Sequence, residues 1–395
     1  MATRKDPTKP KHSTRTLERH FARAPEVDPR PITGKERPLD LLEHAFPAFV
    51  GRQVRDAYRL MERSMAEDHA IFLTLSGAMT PAGFHQSVII PLIERGVVSC
   101  LTTTGANLYH DAHRVIGHRI REVDPEGGDL AYRLARVIRI YDLGFVEETL
   151  LDTDRLFSAI LMRPEFQRKM TTPELHFLLG KALHEVEKVL GVERPSLLST
   201  CYAKRVPIFV GAVQDGSIFL NVVKLRQLYP DDFKLEIDLA EDVFEMAALQ
   251  HHVRQTASGK AAVWIFGGGV PKNYTLQGEP TLDQILQVPA RGFDIDLQFC
   301  VDPVDNGALS SCPAGEGHTW GKVSADAVAR GSQYVHCDMT AVVPFLVSAL
   351  FSSKQGRRKP RRLYDQRGEA LETLRKAVRR RRRALEESAS HPAIP

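Results

Sequence analysis

Cysteine is scarce in this chain: five in 395 residues, Cys100, Cys201, Cys300, Cys312 and Cys337, with no Cys-x-x-Cys spacing. An odd, scattered set indicates neither a disulfide framework nor a zinc site, so reduced thiols packed in the core are expected. Long apolar runs are missing too. Nothing approaches the ~18 to 20 consecutive apolar residues that cross a bilayer, and the opening Met1-Ala-Thr-Arg-Lys-Asp-Pro7 lacks the apolar core of a signal peptide. A cytoplasmic protein with no membrane association is the expectation. Also absent is G-x-G-x-x-G in the loop after the first strand-like run, so the strict dinucleotide fingerprint fails and an ordinary dehydrogenase is disfavoured.

What is present is a large apolar fraction, 43%, and a length that allows two or three domains or one large α/β domain. Charge is segregated. Residues 1–20 carry six Lys/Arg against two Asp/Glu, and residues 354–383 carry fourteen against three; with a total of +4, the rest of the chain holds −11. An acidic body with focused clefts suits a cationic ligand, although a negative surplus also serves solubility alone.

Residues 1–38, rich in Pro, Lys, Arg and Thr, read as a basic, mobile N-terminal arm. A single catalytic domain is expected over residues 39–353, and a basic, partly helical C-terminal tail over 354–395. Val54, Tyr58, Met61 and Met65 recur at helical spacing. Ala70–Leu75 is a strand-like run that ends in Ser76-Gly-Ala-Met-Thr80 and precedes a helical segment. Val97–Leu101 repeats the unit, running into Thr102-Thr-Thr-Gly-Ala-Asn107 and a polar loop with His110, Asp111, His113 and His118. A strand feeding a small-residue loop and then a helix is where backbone N–H groups meet a phosphate. The histidine cluster matches no zinc spacing, so no metal is expected there.

Residues 125–205 read as mostly helical scaffold. A β-rich run returns at 206–213 and ends at Asp215-Gly-Ser217, which is either a ligand contact at a strand's carboxyl end or a plain turn. Leu239–His252 reads as a helix. Ala261–Phe266 is a buried strand that enters Gly267-Gly268-Gly269, where glycines permit close approach of a flat or phosphorylated ligand or simply make a tight turn. Further strands over 293–301 and 333–337 precede an apolar helix, Met339–Phe351. Strands that end in small or acidic residues and alternate with helices imply a doubly wound, mainly parallel, Rossmann-like sheet with its crevice along the carboxyl edge. In the tail, a helix bearing Arg379–Arg383 is a solvated face or a partner-docking arm. It lacks the stacking aromatics of a nucleic-acid binder.

Between Asn306 and Lys322 one lysine follows a carboxylate and a tryptophan. A lysine attacks carbon only when neutral, so Lys322 would need burial beside something apolar or cationic to lower its pKa. Trp320 could supply the apolar wall, and Glu316 could hold a cationic amine or shuttle a proton. The alternative is that Trp-Gly-Lys closes a loop and Lys322 is solvated.

Taken in order, Ser76-Gly-Ala-Met-Thr80, Thr102–Asp111, Asp215-Gly-Ser217, Gly267–Lys272, Glu316 with Trp320-Gly-Lys322, and Cys337-Asp338 resemble the deoxyhypusine synthase family over roughly residues 40–352. The resemblance implies a homotetrameric, NAD-dependent transferase that moves a 4-aminobutyl group from spermidine to an amine. In that chemistry NAD takes and later returns a hydride, diaminopropane leaves, and a lysine holds the four-carbon fragment as an imine, a Schiff base. Carried onto this chain, Lys322 is the imine-forming residue. Ser76, Gly77, Thr80, Thr104, Gly105, Ala106, Asp215, Gly267, Gly268 and Asp338 are the implied NAD contacts, and Glu316 and Trp320 the implied polyamine contacts.

Departures fall on substrate positions. His110 stands where eukaryotic members have a glutamate, Asn273 where they have a histidine, and Leu220 and Leu309 where they have aspartates. The two lost aspartates cost about 1.5 to 3 kcal/mol each in charge-assisted bonds unless replaced. Asp302, Asp305 and His110 are the available replacements, so His110, Asn273 and Asp302 join the substrate-binding set. The pattern is most similar to the bacterial deoxyhypusine synthase-like branch. The acceptor it implies is a protein lysine, or a free diamine such as putrescine in a homospermidine synthase-type reaction. A non-catalytic, NAD-binding regulatory relative is the remaining alternative.

Overall fold

The computed structural model describes residues 14–389. Its centre is a sheet of six strands: β1 (Ala70–Leu75), β2 (Val98–Thr103), β3 (Ile208–Val210), β4 (Ala261–Phe266), β5 (Ile295–Cys300) and β6 (Ser332–His336). In space they lie in the order β3-β2-β1-β4-β5-β6, and every neighbouring pair is parallel. The doubly wound, Rossmann-like sheet expected from the sequence is the fold observed, and its strand order reverses between β1 and β4.

A parallel sheet must be covered on both faces, and the strands divide their side chains accordingly. Ile71, Leu73 and Leu75 of β1 share one core with Ala262, Trp264 and Phe266 of β4. Ala70 and Phe72 share the other with Ala261, Val263 and Ile265. Burial on both sides is why β1 and β4 read as unbroken apolar runs rather than alternating ones. Helix Phe49–Ala66 buries Val54, Tyr58, Met61 and Met65, the residues at helical spacing.

Three expectations are corrected. The polar stretch around His110 is not a loop but part of helix Gly105–Val115, whose buried face mixes Asn107, Asp111 and His113 with Leu108, Ala112 and Val115. Polar residues on the inner face hid the helical period. Within the scaffold expected to be helical over 125–205, Val137–Ile140 and Leu143–Val146 are strands, and with Arg121–Glu122 just before it they form a three-stranded antiparallel sheet with Leu143–Val146 in the middle.

The third correction concerns residues 354–389, which are not a free tail. Leu363, Ala370 and Leu374 are buried in the second core. Arg358 donates to Gly96 O at 3.0 Å, His69 O at 2.6 Å and Val97 O at 2.7 Å, closing the amino ends of β1 and β2. Helix Arg367–Arg380 pairs Arg367 with the fully buried Glu245. The arginines that suggested a solvated helix are only its outer face. At the other end, helix Thr14–Ala22 has no buried side chain, and residues 1–13 of the N-terminal arm lie outside the described residues. Among the described residues, no helix is long and apolar enough to cross a membrane.

Candidate active site

The carboxyl ends of β1 and β4 meet where the strand order reverses. Ser76 N–H donates to Phe266 O at 3.0 Å, and the Ser76 hydroxyl donates to Gly268 O. Gly267 sits at φ +88°, a conformation glycine adopts without strain. At Gly268 an added Cβ would lie 2.6 Å from Ser310 Cα, so only glycine permits this close approach. Above these residues opens a cavity of about 400 Å³ whose wall includes Ser76, Thr104, Asp215, Gly267, Gly268 and Asp302, along with Thr103, Cys300 and Ser310. Six residues singled out in the sequence are thus brought together on one crevice at the topological switch point. A cradle of glycine backbone with hydroxyls and two carboxylates, Asp215 and Asp302, on its wall fits a dinucleotide: flat groups can approach the backbone, and Asp215 can accept from a ribose hydroxyl.

Helix Gly269–Leu276 starts at the cavity, where Gly269, Val270 and Pro271 line it. One turn further, Asn273 Oδ1 accepts from Lys322 Nζ at 3.0 Å. Lys322 is half-buried, and burial lowers its pKa from the usual 10.5, against the opposing effects of Cys312 and Glu316. Its Nζ lies 5.8 Å from the Trp320 ring centroid. Trp320 itself is 63% exposed, so in a single chain it flanks the lysine without walling it in. Glu316, on the short helix Ala314–Thr319, is also exposed.

A second lysine, which sequence reasoning left unassigned, holds this region in place. Lys272 is buried and donates to Gln298 Oε1 at 2.8 Å, Cys312 O at 2.7 Å and Ser310 O at 3.4 Å. It ties the segment before Glu316 to β5 and to the helix carrying Asn273. Burial lowers its pKa, while Asp296 opposes the change and Lys322 adds to it. Asp296, buried beneath, is pushed up to about 6 by desolvation. The signal for Lys272 was its place at the end of the Gly267–Lys272 motif.

The remaining predicted residues are engaged elsewhere. Thr80 is fully buried, its hydroxyl donating to Asn107 O at 2.8 Å. Gly105 packs on Gly216, where a Cβ on Gly105 would come 2.8 Å from Gly216 Cα; this contact seats the loop after β2 against the loop of Asp215. Gly77 is exposed in the loop after β1, and Ala106 is exposed in the first turn of helix Gly105–Val115. Asp338 caps helix Met339–Ser352, accepting from Thr340 N at 2.8 Å. None of these five is on the cavity wall. His110 Nδ1 lies 2.8 Å from His113 Nε2, and burial lowers the His110 pKa to about 4. Asp111 accepts from Leu197 N at 2.7 Å, and His118 pairs with Asp152 at 3.0 Å, so these two are engaged away from the His110–His113 pair. Leu220 and Leu309 are 56% and 53% exposed.

The fold and the site together define a class: a doubly wound α/β protein with a glycine-lined switch-point crevice and, one helical turn away, a lysine of lowered pKa. The chain belongs to the deoxyhypusine synthase family, whose model matches residues 41–350. It is 38% identical over 352 residues to a deoxyhypusine synthase-like protein of Nostoc punctiforme, covering 89% of each chain. It is 32% identical over 339 residues to the "Probable deoxyhypusine synthase 2" of Methanosarcina mazei, covering 85% of this chain and 92% of that one. A solved structure from Entamoeba histolytica, provisionally assigned as a deoxyhypusine synthase, shares the fold with a TM-score of 0.55 at 15% identity, covering 84% of this chain and 99% of that one. Family membership supports reading the chain as a transferase.

Proposed function

We propose that this protein is an NAD-dependent aminoalkyl transferase that takes a 4-aminobutyl group from spermidine or a similar polyamine and passes it to an amine. The observation that carries the reading is Lys322, half-buried with a lowered pKa, hydrogen-bonded to the helix that starts at the glycine-lined crevice. NAD bound in that crevice would supply a hydride acceptor and donor. Ser76, Thr104, Asp215, Gly267 and Gly268 would hold it there. Neutral Lys322 would capture the four-carbon fragment as an imine as diaminopropane leaves, and would yield it to the acceptor amine. Asn273 orients the lysine in this scheme, and Glu316 and Asp302 supply negative charge for the ammonium groups.

The acceptor is a protein lysine or a free diamine. The exposed Trp320 beside Lys322 supports a homo-oligomer in which a second subunit covers the site. A second reading, an NAD-binding relative without turnover, draws on Leu220 and Leu309, exposed leucines where the related enzymes have carboxylates. The test is release of diaminopropane from spermidine in the presence of NAD. Stoichiometric or catalytic release supports the transferase; NAD binding without release selects the second reading.

A further inference from the structure

Strand β5 is buried along its whole length, yet its residues alternate in character: Ile295, Leu297 and Phe299 join the first core, while Asp296 and Gln298 face the other way. Gln298 is 2% exposed, so its amide must find partners inside the protein. It has three, on separate segments. Its Nε2 donates to Gly267 O at 2.9 Å and to Ser310 O at 2.5 Å. Its Oε1 accepts from Lys272 Nζ at 2.8 Å. The two backbone carbonyls can only accept, so they fix which end of the amide is nitrogen and leave the oxygen for the lysine. Both N–H groups of the amide are thereby used.

Each partner belongs to a different part of the site. Gly267 and Ser310 line the crevice. Lys272 also holds the carbonyls of Ser310 and Cys312, and its chain neighbour Asn273 holds Lys322. Contact is direct as well: beside Gly267, Gly268 lies so close to Ser310 that a Cβ there would be 2.6 Å from Ser310 Cα. A shift of the glycine floor is therefore passed to the segment that runs from Ser310 to Lys322. We infer that Gln298 is a positioning residue that couples filling of the crevice to the setting of Lys322. The inference rests on the dinucleotide reading of the crevice for its ligand and goes beyond it in tying that ligand to the lysine. Only an amide serves all three partners here. A glutamate keeps the acceptor for Lys272 but sets its second oxygen against two carbonyls.

The test is hydrogen exchange of the full chain, read peptide by peptide by mass spectrometry with and without saturating NAD, with NAD binding measured by calorimetry. The segment has amides to report: Gly317 N donates to Pro313 O and Lys322 N to Gly317 O, each at 3.0 Å. In the wild type NAD should slow exchange over residues 306–322 about fivefold or more. Gln298→Met loses all three bonds, and Gln298→Glu keeps only the one to Lys272. Both should bind NAD yet show less than about twofold slowing in that segment. Exchange in helix Phe49–Ala66 should match the wild type, which checks the fold; if Gln298→Met does not fold, Gln298→Glu decides alone. Full slowing in a folded variant overturns the inference, and so does NAD binding to the wild type without slowing. Loss of NAD binding in the folded variants would confine the amide's role to the crevice and also overturns the coupling. A wild-type protein that binds no NAD overturns it together with the dinucleotide reading, which tells the two failures apart.

Discussion

Lys322 Nζ and Asn273 Oδ1 meet at 3.0 Å although 49 residues separate them in sequence. The bond joins the loop after β5 to the helix that leaves β4. It holds the lysine that the proposed transferase would use as nucleophile next to the helix leaving the crevice, and its partner there is a neutral amide rather than a carboxylate.

From that geometry follows a pH dependence. Lys322 attacks only when neutral, and burial brings its pKa below 10.5, so imine formation should rise with pH and level off below that value. Asn273→Asp puts a carboxylate where the amide oxygen was, which favours the ammonium form. The rising limb of single-turnover rate against pH should move upward. At neutral pH the rate should fall roughly tenfold for each pH unit of displacement. An unmoved limb would mean that Lys322 is not the group titrating.

Lys272 should matter twice. Lys272→Met leaves the carbonyl of Cys312 and the amide of Gln298 without their donor, at a cost of roughly 1 to 3 kcal/mol in urea denaturation. It also frees the segment from Ser310 to Cys312, so KM for the polyamine should rise. A variant as stable as wild type with unchanged KM would show that Lys272 does not brace the site.

The C-terminal segment should behave as core. Arg367→Ala strands the buried carboxylate of Glu245, at roughly 3 to 5 kcal/mol, whereas Arg380→Ala on the exposed face should change stability by less than ~0.5 kcal/mol. A chain cut after Ser353 loses Leu363, Ala370 and Leu374 from the second core and should not fold. A soluble, cooperatively melting truncation would contradict this.

Much of the architecture was legible in the sequence because parallel strands buried on both faces betray themselves. Ala70–Leu75 and Ala261–Phe266 stand out as apolar runs with small residues at their ends. Glycine and serine at those ends marked the crevice for the same reason: close backbone approach excludes larger side chains. Strand order was not legible, since β1 pairs with β4 across nearly two hundred intervening residues. The helix of His110 was obscured because its inner face carries Asn107, Asp111 and His113, whose partners come from distant elements. The apolar spacing of helix Arg367–Arg380 was legible, but its outer arginines suggested a solvated face, and Arg358 looked solvated although it is sunk among backbone carbonyls.

The most direct test of the transferase reading is chemical trapping at Lys322. The protein would be incubated with NAD and spermidine labelled in its butyl carbons, reduced with borohydride, digested and mapped by mass spectrometry. A four-carbon adduct on Lys322 is predicted, dependent on NAD and absent from Lys322→Ala. An adduct on another lysine, or none when both ligands are bound, would contradict it.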